Sequence, residues 1–197
     1  MAVFVNRVLT LKKIKAIGFD MDYTLVEYQT ENFEELVFNE VLKNFVSIKN
    51  YPEEVLKLDF NFDLVIQGLV LDKEMGNALK LSRFGKVKKA FHGKKELSFS
   101  EAQKVYQKLV IDLNDPNIQS FDTSFSISNG VLFLSLVEEK NNGLNLPSYY
   151  QMAKDIKEII DLVHRDGTLK NEVKENPDHY LIKNPQTVEL LEKLKGD

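Results

Sequence analysis

Two carboxylates, Asp20 and Asp22, stand two residues apart directly after a short apolar run. Carboxylates held this close repel each other unless a cation or a shared proton relieves the repulsion. Mg²⁺ is a hard ion that prefers oxygen ligands, so it is the natural partner of such a pair. The spacing indicates a magnesium site made by Asp20 and Asp22. The alternative interpretation is an ordinary polar turn.

The apolar run before the two acids, residues 15–20, contains Ile17 and Phe19 and shows no strict alternation. This pattern predicts a short strand buried on both faces, as in a parallel α/β sheet. Open α/β sheets bind their ligands at the carboxyl ends of the strands. The predicted strand would therefore present Asp20 and Asp22 at the ligand-binding edge.

The string Asp20-Met21-Asp22-Tyr23-Thr24-Leu25 resembles the first motif of the haloacid dehalogenase (HAD) phosphohydrolases, Asp-x-Asp-x-Thr-Leu. The resemblance implies that Asp20 is the nucleophile, which attacks a phosphomonoester and forms an aspartyl-phosphate. Asp22 would protonate the leaving oxygen and then activate the water. Both aspartates would bind Mg²⁺, which offsets the negative charge of the phosphate.

The composition excludes several other classes of protein. The chain has 197 residues, a net charge of −4 and no cysteine. The net negative charge argues against nonspecific binding to nucleic acid. The lack of cysteine excludes disulfides and thiolate metal sites, and it fits a cytoplasmic location. No apolar run approaches the roughly 20 residues that a membrane helix needs, so we expect no membrane partner.

The remaining sequence predicts a mixture of helices and short strands. Apolar spacing predicts helices over residues 31–47, 98–109, 129–139, 148–165, 169–175 and 185–194. Three short strands at 68–72, 78–82 and 87–92, separated by glycine-containing turns, predict an antiparallel meander. The predicted fold class is α/β: an incomplete HAD-like Rossmann-type core with a large α+β cap inserted after the first strand.

Several segments in order along the chain resemble the cytosolic purine 5′-nucleotidase family: residues 4–7, 19–25, 51–52, 68–72, 76–80 and 161–170. The resemblance implies Mg²⁺-dependent hydrolysis of purine nucleoside monophosphates, typically IMP and GMP. It also implies three regions. Residues 1–30 would begin the core, residues 31–182 would form the cap, and residues 183–197 would be a helix that returns to the core.

The same resemblance assigns substrate-binding residues one by one. Phe125 matches the phenylalanine that stacks on the base, and Asp161, His164 and Lys170 match polar substrate contacts. Lys157 stands where the family usually has arginine, and Arg165 where it often has tyrosine, which leaves the base preference open. Independently, Lys157, Asp161 and His164 are spaced i, i+4 and i+7, so they share one side of a helix. The alternative is a solvated lysine–aspartate pair beside a surface histidine.

The later motifs of a HAD site do not follow in this sequence: a strand ending in Ser or Thr, a phosphate-binding lysine and an acidic pair. We therefore expect the chain alone to be inactive and to need a complementing C-terminal polypeptide; a homo-oligomer is the other partner left open. Two further interpretations remain. One is a non-catalytic module that binds a nucleotide or a partner, and the other is a HAD phosphatase for a different phosphomonoester.

Overall fold

The computed structural model of the chain describes residues 14–65, 68–106, 110–120 and 127–195. The chain forms two compact units. Unit 1 comprises residues 1–28 and 181–197, and unit 2 comprises residues 29–180. The assignment of these regions to a core and a cap stays a prediction.

Unit 2 contains helices α1 (Thr30–Lys49), α2 (Phe99–Val105), α3 (Ile127–Asn141), α4 (Tyr149–Arg165), α5 (Thr168–Glu175) and α6 (Pro177–Tyr180), and 3₁₀ turns at Glu53–Lys57 and Phe62–Leu64. The predicted helices over 31–47, 129–139, 148–165 and 169–175 are confirmed. Of the predicted helix over 98–109, the first part is observed, as α2. Ser98 begins α2 with a capping box, because Glu101 N–H donates to Ser98 Oγ and Ser98 N–H donates to the Glu101 carboxylate. α1 ends where Asn50 adopts the left-handed conformation.

The sheet of unit 2 has five antiparallel strands in the order β5-β4-β3-β2-β6. They are β2 (Leu69–Asp72), β3 (Asn77–Leu81), β4 (Val87–His92), β5 (Lys95–Glu96) and β6 (Ile118–Ser120). The predicted meander is confirmed as β2, β3 and β4, whereas β5 and β6 were not predicted. Val70, Leu79 and Ala90 point to one buried side of the sheet, where Ala102 of α2 covers them.

The main core of unit 2 forms around α3, which packs against α1, α4, β3 and β4. A helix with neighbours on so many sides must be apolar nearly all round, and residues 130–137 of α3 are buried without a break. The apolar side of α4 lies against this helix, with Met152, Ile156, Ile159 and Val163 buried and Ile160 half-buried. α1 contributes fully buried Phe38 and Phe45.

Gly76, in the turn between β2 and β3, lies where no side chain fits. Its φ is +71°, and a Cβ atom built there would lie 2.8 Å from the ring of Tyr149, the first residue of α4. Glycine adopts positive φ without a steric penalty. The glycine therefore allows the start of α4 to contact the sheet directly.

Unit 1 contains β1 (Glu27–Tyr28), which pairs antiparallel with β7 (Leu181–Ile182), and helix α7 (Pro185–Lys195). The predicted helix over 185–194 is confirmed. Its apolar side chains Val188, Leu190, Leu191 and Leu194 are all exposed. Across the described residues, no helix is both long and apolar enough to cross a membrane.

The predicted buried strand at residues 15–20 is wrong. Residues 14–20 form neither helix nor strand, and Ile17 is 54% exposed. A strand is stabilised by hydrogen bonds to a neighbouring strand, and no described segment pairs with this one. The predicted parallel HAD-like core is likewise not observed among the described residues, whose named strands all pair antiparallel. What the structure confirms is a mixture of helices and an antiparallel sheet.

Candidate functional site

The two aspartates of the Asp-x-Asp motif lie at the start of a tight turn in unit 1. Asp20 is exposed, and Asp22 is half-buried. The carbonyl of Met21 accepts hydrogen bonds from the N–H groups of Leu25 (3.0 Å) and Val26 (2.9 Å), and Tyr23 N–H donates to Val26 O at 2.7 Å. The turn thus folds residues 21–26 back on themselves and fixes the backbone that carries Asp22.

The turn places a strained residue directly after Asp22. Tyr23 has a φ of +56°, a value that is uncommon for a residue with a side chain. Its ring packs against that of Tyr28 with the centroids 5.4 Å apart. Strained backbone of this kind occurs often at functional sites, where the surrounding contacts hold it in place.

Asp22 has a hydrogen-bond donor that the sequence did not reveal. The Tyr28 hydroxyl donates to Asp22 Oδ1 at 2.7 Å. Burial, and then this bond to the carboxylate, raises the pKa of Tyr28 well above its ordinary value, so the phenol stays protonated and remains a donor. Tyr28 therefore orients one oxygen of Asp22 and leaves Oδ2 for other partners.

The donor chemistry of this turn fits a magnesium ion in part. Mg²⁺ is commonly bound through one or two carboxylates, several waters and the phosphate of the substrate. Asp20 and Asp22 supply two carboxylates of the right type. Among the residues that the structure describes, no cluster of three or more His, Asp or Glu side chains could hold a metal ion. Metal binding by Asp20 and Asp22 therefore stays a prediction.

The second group of predicted residues lies on α4 and α5 in unit 2. Lys157, Asp161 and His164 are exposed and share one side of α4, as their spacing predicted. Lys170 is exposed on α5. These four residues belong to unit 2, whereas Asp20 and Asp22 belong to unit 1. The predicted site residues therefore form two groups, one in each unit. Phe125 lies outside the described residues.

The imidazole of His164 is oriented by the backbone of its own helix. His164 Nδ1 lies 2.8 Å from the carbonyl oxygen of Ile160. A carbonyl only accepts hydrogen bonds, so Nδ1 carries the proton and Nε2 is the ring atom left for a ligand. Arg165, the next residue, donates from Nε to the carbonyl of Asp161 at 2.9 Å. The last turn of α4 thus fixes its side chains through main-chain oxygens.

A sharp turn connects α4 to α5. Gly167 adopts a φ of +92°, and the Asp166 carboxylate accepts the N–H of Thr168 at 2.8 Å at the start of α5. This hydrogen bond, and a second one from the Thr168 side chain, lower the pKa of Asp166 below its ordinary value. The turn brings α5, which carries Lys170, directly after the helix end that carries Asp161 and His164.

A buried carboxylate of unit 2, Glu34, was missed by the sequence analysis. It is 1% exposed on α1, and its Oε2 accepts the backbone N–H of Ser128 at 2.7 Å in the first turn of α3. A signal was present in the sequence, because Glu34 stands among the apolar positions Phe33, Val37 and Phe38. A charged residue at a core position of a helix is unusual unless it has a partner.

A further polar cluster in unit 2 contains none of the predicted site residues. Asp72 accepts from the Tyr106 hydroxyl at 2.8 Å, Tyr106 accepts from Asn77 Nδ2 at 2.9 Å, and His92 Nδ1 donates to Asn77 Oδ1 at 2.8 Å. This chain of bonds satisfies the buried side chains of Asp72 and Asn77. Nearby polar residues line a shallow cavity of about 650 Å³, namely Glu74, Asn117, Lys140, Ser148, Tyr149 and Tyr150.

Comparison with known proteins identifies the class to which this arrangement belongs. The sequence pattern of the 5′ nucleotidase family matches residues 3–197, so the chain belongs to that family.

Individual relatives are similar along nearly the whole chain. A 5′-nucleotidase domain-containing protein of Dictyostelium discoideum is 24% identical over 98% of this chain and 33% of its own length. Human 5′-nucleotidase domain-containing protein 1 is 27% identical over 95% of this chain and 45% of its own length. Human 5′-nucleotidase domain-containing protein 2 is 25% identical over 98% of this chain and 39% of its own length. The chain therefore spans a third to just under half of these relatives.

Proposed function

We propose that the chain is the nucleophile- and substrate-binding part of a Mg²⁺-dependent 5′-nucleotidase of HAD type that acts on purine nucleoside monophosphates. One observation carries the proposal: the family match runs from residue 3 to residue 197. It therefore includes both the Asp20–Asp22 turn of unit 1 and the exposed polar side of α4 in unit 2. Membership of this family supports hydrolysis of nucleotides.

In the proposed reaction, an oxygen of the Asp20 carboxylate attacks the phosphorus of the substrate, and the bond from phosphorus to the 5′ oxygen breaks. Asp22 gives its proton to that oxygen, and the nucleoside leaves. Asp22, now ionised, takes a proton from a water molecule, which attacks the aspartyl-phosphate. Inorganic phosphate departs and the Asp20 carboxylate is restored. Mg²⁺, when bound, would offset the negative charges that meet at the phosphate.

The contact between Tyr28 and Asp22 supports the different roles of the two aspartates. Asp20 is exposed, as a nucleophile that must reach phosphorus would be. Asp22 is half-buried and held through Oδ1 by the Tyr28 hydroxyl. One oxygen of Asp22 is thereby fixed, and Oδ2 is the atom that would carry the proton to the leaving group. The geometry favours the assignment that the motif implies.

On the α4 side, we propose that the nucleotide contacts Asp161, His164 and Lys170, with Lys157 beside them and Phe125 stacking on the base. His164 Nε2 and the Asp161 carboxylate would be hydrogen-bonding partners of the base or the sugar. Lys157 contributes a point charge where arginine would contribute a planar fork of donors. This difference favours a second candidate within the same chemistry, a phosphatase for a different phosphomonoester.

We also propose that turnover needs further polypeptide that covers the apolar side chains of unit 1. Ile14, Ile17, Phe19 and Met21 are exposed, as are the apolar side chains of α7. Contiguous exposed apolar surface usually marks an interaction site. A polypeptide that pairs with residues 14–20 would convert this segment into the strand that its sequence favours.

The test compares the chain alone with the chain extended or complemented by the remaining length of its relatives. Phosphate release from IMP and GMP is measured with and without Mg²⁺. We expect release only from the completed protein with Mg²⁺, and a loss of about 10³-fold or more in Asp20→Asn. Asp59→Asn, the same change at an exposed aspartate of unit 2, is the matched control.

Nucleotide binding by the chain alone separates the catalytic proposal from a non-catalytic binding module. Binding that survives Asp20→Asn and disappears in Asp161→Ala, with Asp59→Ala as control, locates the nucleotide on unit 2. If the completed protein binds nucleotide but never releases phosphate, the chain is a binding module. Turnover that persists in Asp20→Asn would overturn the assignment of the nucleophile.

A further inference from the structure

The cavity of unit 2 lies apart from the residues proposed to bind a nucleotide. Its volume is about 650 Å³, and it is lined by Glu74, Asn117, Lys140, Ser148, Tyr149 and Tyr150. Tyr150 belongs to the first turn of α4, whereas Asp161 and His164 lie in its last two turns. An α-helix rises about 1.5 Å per residue, so Tyr150 and Asp161 lie roughly 16 Å apart along the axis. The cavity is therefore a second place where a ligand could bind.

The Tyr149 ring is a wall of this cavity that three contacts hold in place. Gly76 lies directly against it, since a Cβ atom there would come 2.8 Å from the ring. His92 packs edge-on against the ring with the centroids 5.6 Å apart. The Tyr149 hydroxyl donates to Asn141 Oδ1 at 3.3 Å. A wall that is fixed before the ligand arrives loses little conformational entropy on binding.

Tyr150 is a second aromatic wall, and its ring is accessible. The residue is 47% exposed. The ammonium of Lys73 lies 5.3 Å from the centre of the ring, a cation–π contact that restricts the ring's movement. Two tyrosine rings that line one cavity supply the apolar, planar surface on which aromatic groups pack. The cavity therefore suits a ligand with an aromatic body.

Two opposite charges line the same cavity. Glu74 is exposed on the turn between β2 and β3, and its carboxylate lies 3.5 Å from Asn117 Nδ2. The half-buried Lys140 donates from Nζ to the carbonyl of Leu146 at 2.6 Å, which leaves two of its three N–H groups for other acceptors. Within the described ranges, no ion pair involves Glu74 or Lys140. Both charges are therefore available to a ligand.

We propose that this cavity binds a zwitterionic ligand with an aromatic body, of the class of an aromatic amino acid or its dipeptides. The ligand's carboxylate would pair with Lys140, and its ammonium with Glu74. Because Glu74 and Lys140 do not pair with each other, a ligand that reaches both must carry its two charges apart. A purine nucleotide has no cation to match Glu74. The proposal does not depend on the proposed nucleotidase activity.

The first experiment titrates the full chain with three matched probes: phenylalanylglycine, its N-acetyl form and its C-terminal amide. The first probe keeps both charges, the second lacks the ammonium and the third lacks the carboxylate. We expect phenylalanylglycine to shift the backbone NMR signals of Asn117 and Tyr150, and each blocked probe to bind about three- to fivefold more weakly. Equal binding of all three probes, or no shift at either residue, overturns the proposal.

Two variants test which side chain recognises which charge. Glu74→Gln should remove the preference for phenylalanylglycine over its N-acetyl form, and Lys140→Gln the preference over its amide. Glu35→Gln and Lys57→Gln, the same changes at exposed residues of unit 2, should preserve both preferences. A preference that survives in the matching variant overturns the proposal. Glu74 is exposed on a turn, so Glu74→Gln keeps the proposal testable if Lys140→Gln fails to fold.

A last comparison tests the aromatic wall and the separation from the proposed nucleotide contacts. Tyr150→Ser should weaken phenylalanylglycine binding about threefold and leave the binding of alanylglycine, which has no ring, unchanged. Equal losses for the two dipeptides refute the aromatic part of the proposal. GMP should leave the Asn117 and Tyr150 signals in place, and a shift of both by GMP but not by phenylalanylglycine refutes the whole. If GMP binds nowhere on the chain, the proposed function fails and the dipeptide result stands.

Discussion

In unit 2, apolar periodicity and burial agree: the stripes of α1, α3 and α4 all lie against one another or against the sheet. In unit 1, the same kind of apolar sequence stays on the surface, both in residues 14–20 and along α7. The difference shows that an apolar pattern specifies which side of a segment to bury, but not what will bury it. Unit 2 contains its own partners, whereas the described residues of unit 1 leave these apolar side chains exposed.

The largest expected effect compares an apolar side chain from each unit. Phe45 of α1 is fully buried and stacks on Tyr51 with centroids 4.8 Å apart, so Phe45→Ala should lower the free energy of unfolding by about 3–5 kcal/mol. Ile17→Ala in unit 1 should change it by less than about 0.5 kcal/mol. Urea unfolding followed by circular dichroism measures both. A cost near 2 kcal/mol for Ile17→Ala would mean that unit 1 buries this residue within the chain.

The second prediction compares two ion pairs. Asp155, whose side chain is 5% exposed, binds Lys49 and accepts from the Tyr51 hydroxyl at 3.0 Å. Removing it in Asp155→Ala leaves the buried Tyr51 hydroxyl without its acceptor, whereas Lys49 keeps its second partner, Glu158. The change should lower the free energy of unfolding by about 1–3 kcal/mol. The exposed pair Glu189–Lys193 of α7 should matter little, with Glu189→Ala costing below about 0.5 kcal/mol. Equal losses in the two variants would contradict the contrast between the units.

Two tyrosines make the same contact in different units and provide the third prediction. Tyr28 donates to Asp22 in unit 1 at 2.7 Å, and Tyr51 donates to Asp155 in unit 2 at 3.0 Å. A hydrogen bond to a charged group contributes about 1.5–3 kcal/mol. Tyr28→Phe should lower kcat of the completed protein about tenfold with little change in unfolding. Tyr51→Phe should lower stability and leave kcat unchanged, and any reversal of this pattern would refute the role given to Tyr28.

The smallest expected effect concerns the buried charge of unit 2. The pKa of Glu34 is raised above its ordinary value of 4.5, so the folded chain holds this proton more tightly than the unfolded chain. The carboxylate therefore destabilises the fold once the pH rises above 4.5 and has no such effect below it. Glu34→Gln should raise the melting temperature at pH 7.5, with an advantage that shrinks as the pH falls toward 4.5. Glu35→Gln should show no such trend, and a lower melting temperature for Glu34→Gln at pH 7.5 would contradict the prediction.

The sequence predicted much of unit 2, because its helices and meander depend on local periodicity and on turn residues. The apolar series Met152–Ile156–Ile159–Val163 is such a local signal, and the corresponding helix is present. The short strands β1 and β7 were not predicted, because two-residue strands carry no period. Their pairing joins Glu27 to Ile182 across most of the chain.

For the predicted site as well, features set by local sequence could be predicted, and features set by tertiary contacts could not. Helical spacing alone placed Lys157, Asp161 and His164 on one side of α4, which the structure bears out as geometry while their roles stay predictions. Tyr28 could not be paired with Asp22 from the sequence, because the contact depends on the conformation of the turn that ends at Val26. Glu34 depends on a contact between residues 94 positions apart. The prediction of a strand at 15–20 was wrong because a strand needs neighbouring strands to pair with, and the described residues provide none for this apolar run.

The direct contact between Gly76 and the Tyr149 ring has a consequence for which sequences can specify this molecule. A replacement at position 76 would combine an unfavourable backbone angle of +71° with a clash against an aromatic ring. Smaller side chains at position 149 would relieve only the clash. In a library randomised at both positions and sorted for folded chains, codon 76 should therefore return almost entirely glycine, whereas codon 149 should return a broad set of residues.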